Sequence, residues 1–150
     1  IALGALSGGR IGVGAGACGT GEAALEAALV YAQKRRQFGQ VLSQMQAVQQ
    51  QLADMRVELD AAWMLVLKAA HLKAQKQDFV LAASMAKLYG SEVANRVCLK
   101  AVQIHGGVGY TRKYPVERYF RDCKVTTLYE GTSEIHRMII GQHILKGDAT

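Results

Sequence analysis

Gln46-Ala-Val48-Gln-Gln-Gln-Leu52-Ala-Asp-Met55-Arg-Val-Glu-Leu59-Asp-Ala-Ala62-Trp-Met-Leu-Val66-Leu-Lys-Ala69 is the stretch that decides the fold. Val48, Leu52, Met55, Leu59, Ala62, Val66 and Ala69 recur at alternating steps of four and three, with no proline or glycine between them. A sustained apolar heptad predicts a helix lying along a neighbouring helix at a crossing of about +20°. Ser43 reads as its N-cap, with Gln46 completing a capping-box pattern, and the helix is expected to run to about Lys76.

Downstream, Gln75-Lys76-Gln77-Asp78 is a polar connection, and Asp78 reads as the N-cap of a third helix. Phe79, Ala82, Ala86, Tyr89, Val93, Val97, Ala101 and Ile104 form its apolar stripe. It stops at Gly106-Gly107-Val108-Gly109. Pro115 opens a short helix from Val116 to Cys123, an extended piece follows over Val125 to Tyr129, and a last helix spans Thr132 to Leu145. Ile135, Ile139 and the Met138/Gln142 positions give that helix an apolar edge. Upstream, residues 1–34 read as a small-residue-rich helix closed by Gly39 in the manner of a C′ glycine. Gly14-Ala-Gly16-Ala-Cys-Gly19 matches GxGxxG, but no β-branched strand leads into it and no acidic residue closes a second strand. These glycines read instead as a surface that lets another helix approach closely. The fold expected is an all-α, antiparallel up-and-down four-helix bundle.

The 150 residues make one domain, half of them hydrophobic and only one a proline. No positively charged leader precedes an apolar run, and no apolar run is long enough to cross a membrane. Cys18, Cys98 and Cys123 lack metal-ligand or CxxC spacing and read as reduced, buried small hydrophobes, so no metal is expected. The net charge of +6 is dispersed except at Lys34-Arg35-Arg36, which suits a small polyanionic ligand better than nucleic acid.

Three non-helical breaks carry unusual residues: Arg35 to Gly39, Gln103 to Gly109, and Tyr129 to Ser133. Arg35 beside Phe38 could chelate a phosphate while Phe38 covers a ring of the ligand, though a solvated basic run is an equal reading. Three glycines after Gln103 exceed what a helix stop needs and point to a flat or anionic ligand near the backbone. His105 reads equally as structural or as a ligand, and His71, His136 and His143 read as surface residues. Glu130 lies between an aromatic and a glycine, just before a helix start. A carboxylate in a dry pocket suits a general base, whereas a plain turn carboxylate is an equal reading from physics alone. In an up-down bundle alternate connections share an end, so the three breaks need not meet in one chain.

Taken in order, Leu-Ser-Gly-Gly-Arg10, Tyr31-Ala-Gln-Lys-Arg35-Arg-Gln-Phe38-Gly39, Gln46, Met85-Ala-Lys87, Gln103-Ile-His-Gly-Gly-Val-Gly-Tyr110, Tyr114-Pro-Val-Glu-Arg118, Arg121-Asp122 and Tyr129-Glu-Gly-Thr-Ser-Glu-Ile135 resemble the C-terminal helical domain of the acyl-CoA dehydrogenase family. The resemblance implies an FAD-dependent enzyme of fatty acid or amino acid catabolism. Glu130 falls on the base that takes the α-proton of an acyl-CoA, while the β-hydride passes to the flavin. The product is a trans-2-enoyl-CoA, and electrons pass to electron-transferring flavoprotein. Glu130's own N–H would hold the thioester carbonyl, with Arg10, Tyr129 and Gly131 on the substrate side. Arg35, Arg36, Gln37, Phe38 and Gln46, together with Gln103, Ile104, His105, Gly106 and Gly107, match segments that reach the FAD of a neighbouring subunit. Thr132, Ser133 and Glu134 match the stretch touching the FAD of the chain's own site. A homo-oligomer, dimer or tetramer, is therefore implied, in a bacterial cytoplasm or mitochondrial matrix.

Two departures are informative. The family branch that carries its base on the first helix places it next to the position of Arg10; here that neighbour is Gly9, which leaves Glu130 as the base. An acidic CoA contact three positions before Arg10 is replaced by Ser7. The family's N-terminal helical and middle β domains are not among these residues, so the chain is expected to be a fragment that binds FAD weakly and turns over nothing alone. An acyl-CoA oxidase of the same fold and a non-catalytic assembly module are the alternative readings.

Overall fold

The computed structural model describes residues 2–147. Its elements are α1 (Ala2–Lys34), β1 (Arg36–Gln37), β2 (Gln40–Val41), α2 (Gln46–Ala74), α3 (Val80–His105), α4 (Val116–Val125) and α5 (Ser133–Leu145), with 3-10 turns at Leu42–Gln44 and Gly106–Tyr110. The heptad of α2 faces inward as its spacing predicts: Met55, Leu59, Ala62, Val66 and Ala69 are buried, and Val48 and Leu52 pack at the margin of the same core. The central element is α3, which packs against every other helix. Three long helices joined by short connections make three sides of the bundle, and the short α4 and α5 share the fourth.

Alanine and glycine dominate the α1–α3 contact, so the two backbones approach closely. A Cβ on Gly90 would lie 3.2 Å from the Gly14 carbonyl oxygen, and one on Gly14 would lie 3.1 Å from that of Ala86. The GxGxxG run is thus part of a continuous helix used for packing and forms no phosphate loop.

Several boundaries differ from the sequence expectation. Gly39 does not end α1, which stops at Lys34. Phe38 (φ 50°) and Gly39 (φ 81°) instead form the left-handed two-residue turn of the β1–β2 hairpin, the geometry that matches strand twist. Ser43 does not cap α2; it lies in the 3-10 turn, Met45 takes the cap position, and the Gln49 amide donates to the Ser43 carbonyl at 2.9 Å. Helix α2 closes with Lys76 in a left-handed conformation, where Gln77 N–H reaches Leu72 O and Lys76 N–H reaches Lys73 O, a Schellman pattern without glycine. Asp78 does accept the Val80 N–H, at 3.0 Å, although Phe79 occupies the formal cap position.

The piece from Val125 to Tyr129 is not extended. The Thr126 and Thr127 hydroxyls donate back to the Cys123 and Lys124 carbonyls, and the backbone continues in turns to Glu130. On α5 the inward residues are Ser133 and His136, while Ile135 and Met138 face outward. His136, expected at the surface, is wholly buried.

Candidate active site

Glu130 sits at the junction of the turns after α4 and the start of α5, with φ 56°, followed by Gly131 at φ 101°. A non-glycine residue in the left-handed region costs on the order of 1 kcal/mol or more and persists only where its surroundings hold it. Four contacts do so here. The Lys87 ammonium donates to the Gly131 carbonyl at 2.5 Å, and Arg10 Nε donates to the Glu130 carbonyl at 3.4 Å. Ser133 N–H reaches Thr127 O at 3.2 Å. Thr132 caps α5 by accepting the Ile135 N–H.

The Glu130 side chain folds against α1. A Cβ on Gly9 would lie 3.0 Å from both carboxylate oxygens, so the absence of a side chain at Gly9 opens the seat in which the carboxylate rests. Oε2 is buried and has no hydrogen-bond partner among the described residues. A half-buried carboxylate with one unengaged oxygen is equipped to accept a proton from a carbon acid brought against it.

The floor of this seat is cationic. Lys87 is fully buried on α3, and burial, reinforced by Arg10, holds its pKa below the usual lysine range, with Glu130, Glu134 and Glu92 acting the other way. His136 is fully buried beside it, with Nε2 3.1 Å from where a Cβ on Gly131 would stand. Burial, then the charges of Lys87 and Arg10, push its pKa down to about 4, which keeps the ring neutral near pH 7. Arg10 is itself largely buried. Tyr129 is exposed beside Glu130, while Thr132, Ser133 and Glu134 form the first turn of α5.

The other two breaks meet at a different place. His105 stacks on Tyr31 at 4.2 Å between ring centroids, Tyr114 closes the cluster at 5.0 Å from His105, and His105 Nδ1 lies 2.8 Å from Ala101 O. These contacts pin the end of α3 to the end of α1 and build a groove of about 430 Å³ lined by Arg35, Gln37, Ile104, His105, Gly106 and Gly107. A larger cavity of about 720 Å³ adjoins it over Tyr31, Lys34, Arg35, Lys113 and Tyr114. Arg36 donates to the Gly39 carbonyl at 3.1 Å and so braces the hairpin. Phe38 is 92% exposed at its tip. Gln46 and Gln103 are exposed at the start of α2 and the end of α3.

The groove suits a phosphorylated, planar cofactor. Cβ atoms on Gly106 and Gly107 would meet nothing within 4 Å, so a ligand can approach that backbone, and buried His105 Nε2 has no partner among the described residues. Arg35 supplies the cation. The groove and Glu130 are nonetheless far apart: Gly9 and Tyr31 are separated by about 33 Å along α1, and Lys87 and His105 by about 27 Å along α3, at 1.5 Å per residue. One chain therefore brings the Arg35 and Gln103 segments together and keeps both away from Glu130.

Lys87 and His136 were not singled out as site residues by sequence reasoning. For Lys87 a signal existed, since it lies seven positions before buried Ala94 on the inward face of α3. His136 carried none, because nothing local distinguishes it from an exposed histidine. Among the described residues no helix is long and apolar enough to cross a membrane, and no group of three or more His, Cys, Asp and Glu could hold a metal.

The family model described as acyl-CoA dehydrogenase, C-terminal domain, matches residues 1–145. The Bacillus subtilis protein named "Probable acyl-CoA dehydrogenase YngJ" is 52% identical over 141 residues, which are 94% of this chain and 37% of that protein. The Acetobacterium woodii "Caffeyl-CoA reductase-Etf complex subunit CarC" is 47% identical over 97% of this chain and 38% of its own length. Among solved structures, butyryl-CoA dehydrogenase from Megasphaera elsdenii superposes with a TM-score of 0.95 at 47% identity, covering 96% of this chain and 38% of that one. The chain thus spans well under half the length of the relatives it matches.

Proposed function

Because the chain belongs to the acyl-CoA dehydrogenase family as its C-terminal domain, we propose that it is the base-bearing domain of an FAD-dependent acyl-CoA dehydrogenase, with Glu130 as the α-proton acceptor. The observation that carries this reading is the Glu130 carboxylate, seated against Gly9 on a braced left-handed turn with one buried oxygen unengaged. Glu130 takes the α-proton of the acyl-CoA, its N–H holds the thioester carbonyl, and Tyr129, Gly131 and Arg10 line the substrate side. A bound FAD supplies the acceptor for the β-hydride, leaving a trans-2-enoyl-CoA. The name of the Megasphaera elsdenii relative, butyryl-CoA dehydrogenase, makes a short-chain thioester the first substrate to test. The name of the Acetobacterium relative supports an electron-transferring flavoprotein as partner.

The separation between Glu130 and the Arg35 groove supports a homo-oligomer. In it Arg35, Arg36, Gln37, Phe38, Gln46 and Gln103 to Gly107 of one chain hold the FAD beside Glu130 of another, while Thr132, Ser133 and Glu134 face the FAD of their own site. A fully exposed phenylalanine on a strained hairpin tip suits such a reach. The remaining walls belong to N-terminal and middle domains outside these residues, so these 150 residues alone bind FAD weakly and turn over nothing. In the full-length flavoenzyme, Glu130→Gln lowers anaerobic flavin bleaching by butyryl-CoA by roughly 10²–10⁴-fold while FAD content is kept. An unchanged rate leaves only an assembly role. Peroxide release in air at the turnover rate identifies an oxidase instead.

A further inference from the structure

We propose that Lys87 is a positioning residue for the Glu130 base, its buried ammonium locking the Glu130–Gly131 turn in the conformation that seats the carboxylate against Gly9. The inference rests on the reading of Glu130 as base. Three independent features meet at this point. Lys87 is 0% exposed on the inward face of α3, where an apolar side chain of the same length would fill the space without the cost of burying an ammonium. Its hydrogen bond goes to the carbonyl of Gly131, the residue directly after the base. The turn it holds has positive φ at both Glu130 and Gly131, a conformation that Glu130 does not hold unaided.

The contact acts on geometry. The ammonium fixes the plane of the Gly131–Thr132 peptide, and Arg10 fixes the carbonyl of Glu130 from the α1 side. With both carbonyls tethered, the Glu130 side chain leaves the turn towards α1, where only a glycine gives it room. His136, neutral and packed on Gly131, closes the third side. Without the ammonium the turn relaxes towards ordinary backbone angles and the carboxylate leaves its seat, whereas the α1–α3 contact, made by Gly14, Ala86 and Gly90, stays intact.

The test is Lys87→Met in the full-length flavoenzyme, read by exchange of the acyl-CoA α-proton with deuterated solvent per bound flavin. Displacement of a reacting group by about 1 Å costs on the order of 10²-fold, so exchange and kcat are expected to fall by about that factor, with FAD content and substrate KM within about threefold of wild type. Exchange per flavin within threefold of wild type overturns the proposal, whatever happens to thermal stability. Gly9→Ala keeps Lys87 and places a methyl 3.0 Å from both carboxylate oxygens, so it tests the seat if Lys87→Met does not fold. The same selective loss of exchange is expected, and an unchanged rate overturns the proposal. Glu130→Gln separates the two levels: if it retains exchange, the base assignment fails; if it is dead while Lys87→Met is active, only the role of Lys87 fails.

Discussion

At the residue scale, the site is built from polar groups placed where apolar ones would pack more easily. His136 gives this a measurable consequence. Its folded pKa of about 4 lies below the ordinary histidine value, so between the two the unfolded chain binds a proton that the folded chain does not. Its contribution is complete above the unfolded value and is lost as pH falls from about 6.5 to about 4. The protein is expected to be about 2 kcal/mol less stable at pH 5 than at pH 7 on this account. The check is urea unfolding at the two pH values: His136→Gln should show a markedly smaller loss, and an equal loss in both proteins removes the histidine as the cause.

At the element scale, the helices follow from patterns that act within one turn, whereas their ends depend on partners elsewhere. The α2 heptad and the α3 stripe were legible because burial of a periodic face fixes both helix and orientation. Gly39 and Ser43 were misread because glycine serves a hairpin turn as well as a helix end, and a hydroxyl caps only if the chain enters at the right angle. The helix glycines, Gly90 on α3 and Gly16 on α1, divide in the same way. A side chain at Gly90 meets the Gly14 carbonyl oxygen at 3.2 Å, so Gly90→Val is expected to cost about 1–3 kcal/mol by overpacking. Gly16 has nothing within 4 Å, and Gly16→Ala is expected to gain about 0.4–1 kcal/mol from helix propensity and unfolded-chain entropy. Thermal midpoints of the two variants should move in opposite directions.

At the scale of the whole molecule, the local peculiarity of each candidate site segment was legible in the sequence, and their arrangement was not. Glu130 stood out by its neighbours, and Arg35, Phe38 and the Gln103 glycines by their excess over structural need. Lys87 showed only its inward register, because its partner Gly131 is 44 positions away, and His136 showed nothing, because only tertiary burial sets it apart. That the three breaks divide between two ends of one bundle follows from the lengths of α1 and α3, and it makes the proposed site a property of two chains. The direct measurement is subunit complementation. Glu130→Gln and Arg35→Glu full-length chains, each inactive alone, are unfolded, mixed in equal amounts and refolded with FAD. If each site takes Glu130 from one chain and Arg35 from another, half of the dimers are mixed and each carries one intact site, restoring about a quarter of wild-type activity. Recovery to that level is the predicted result. No activity above that of the separate variants, with mixed dimers present, contradicts the account.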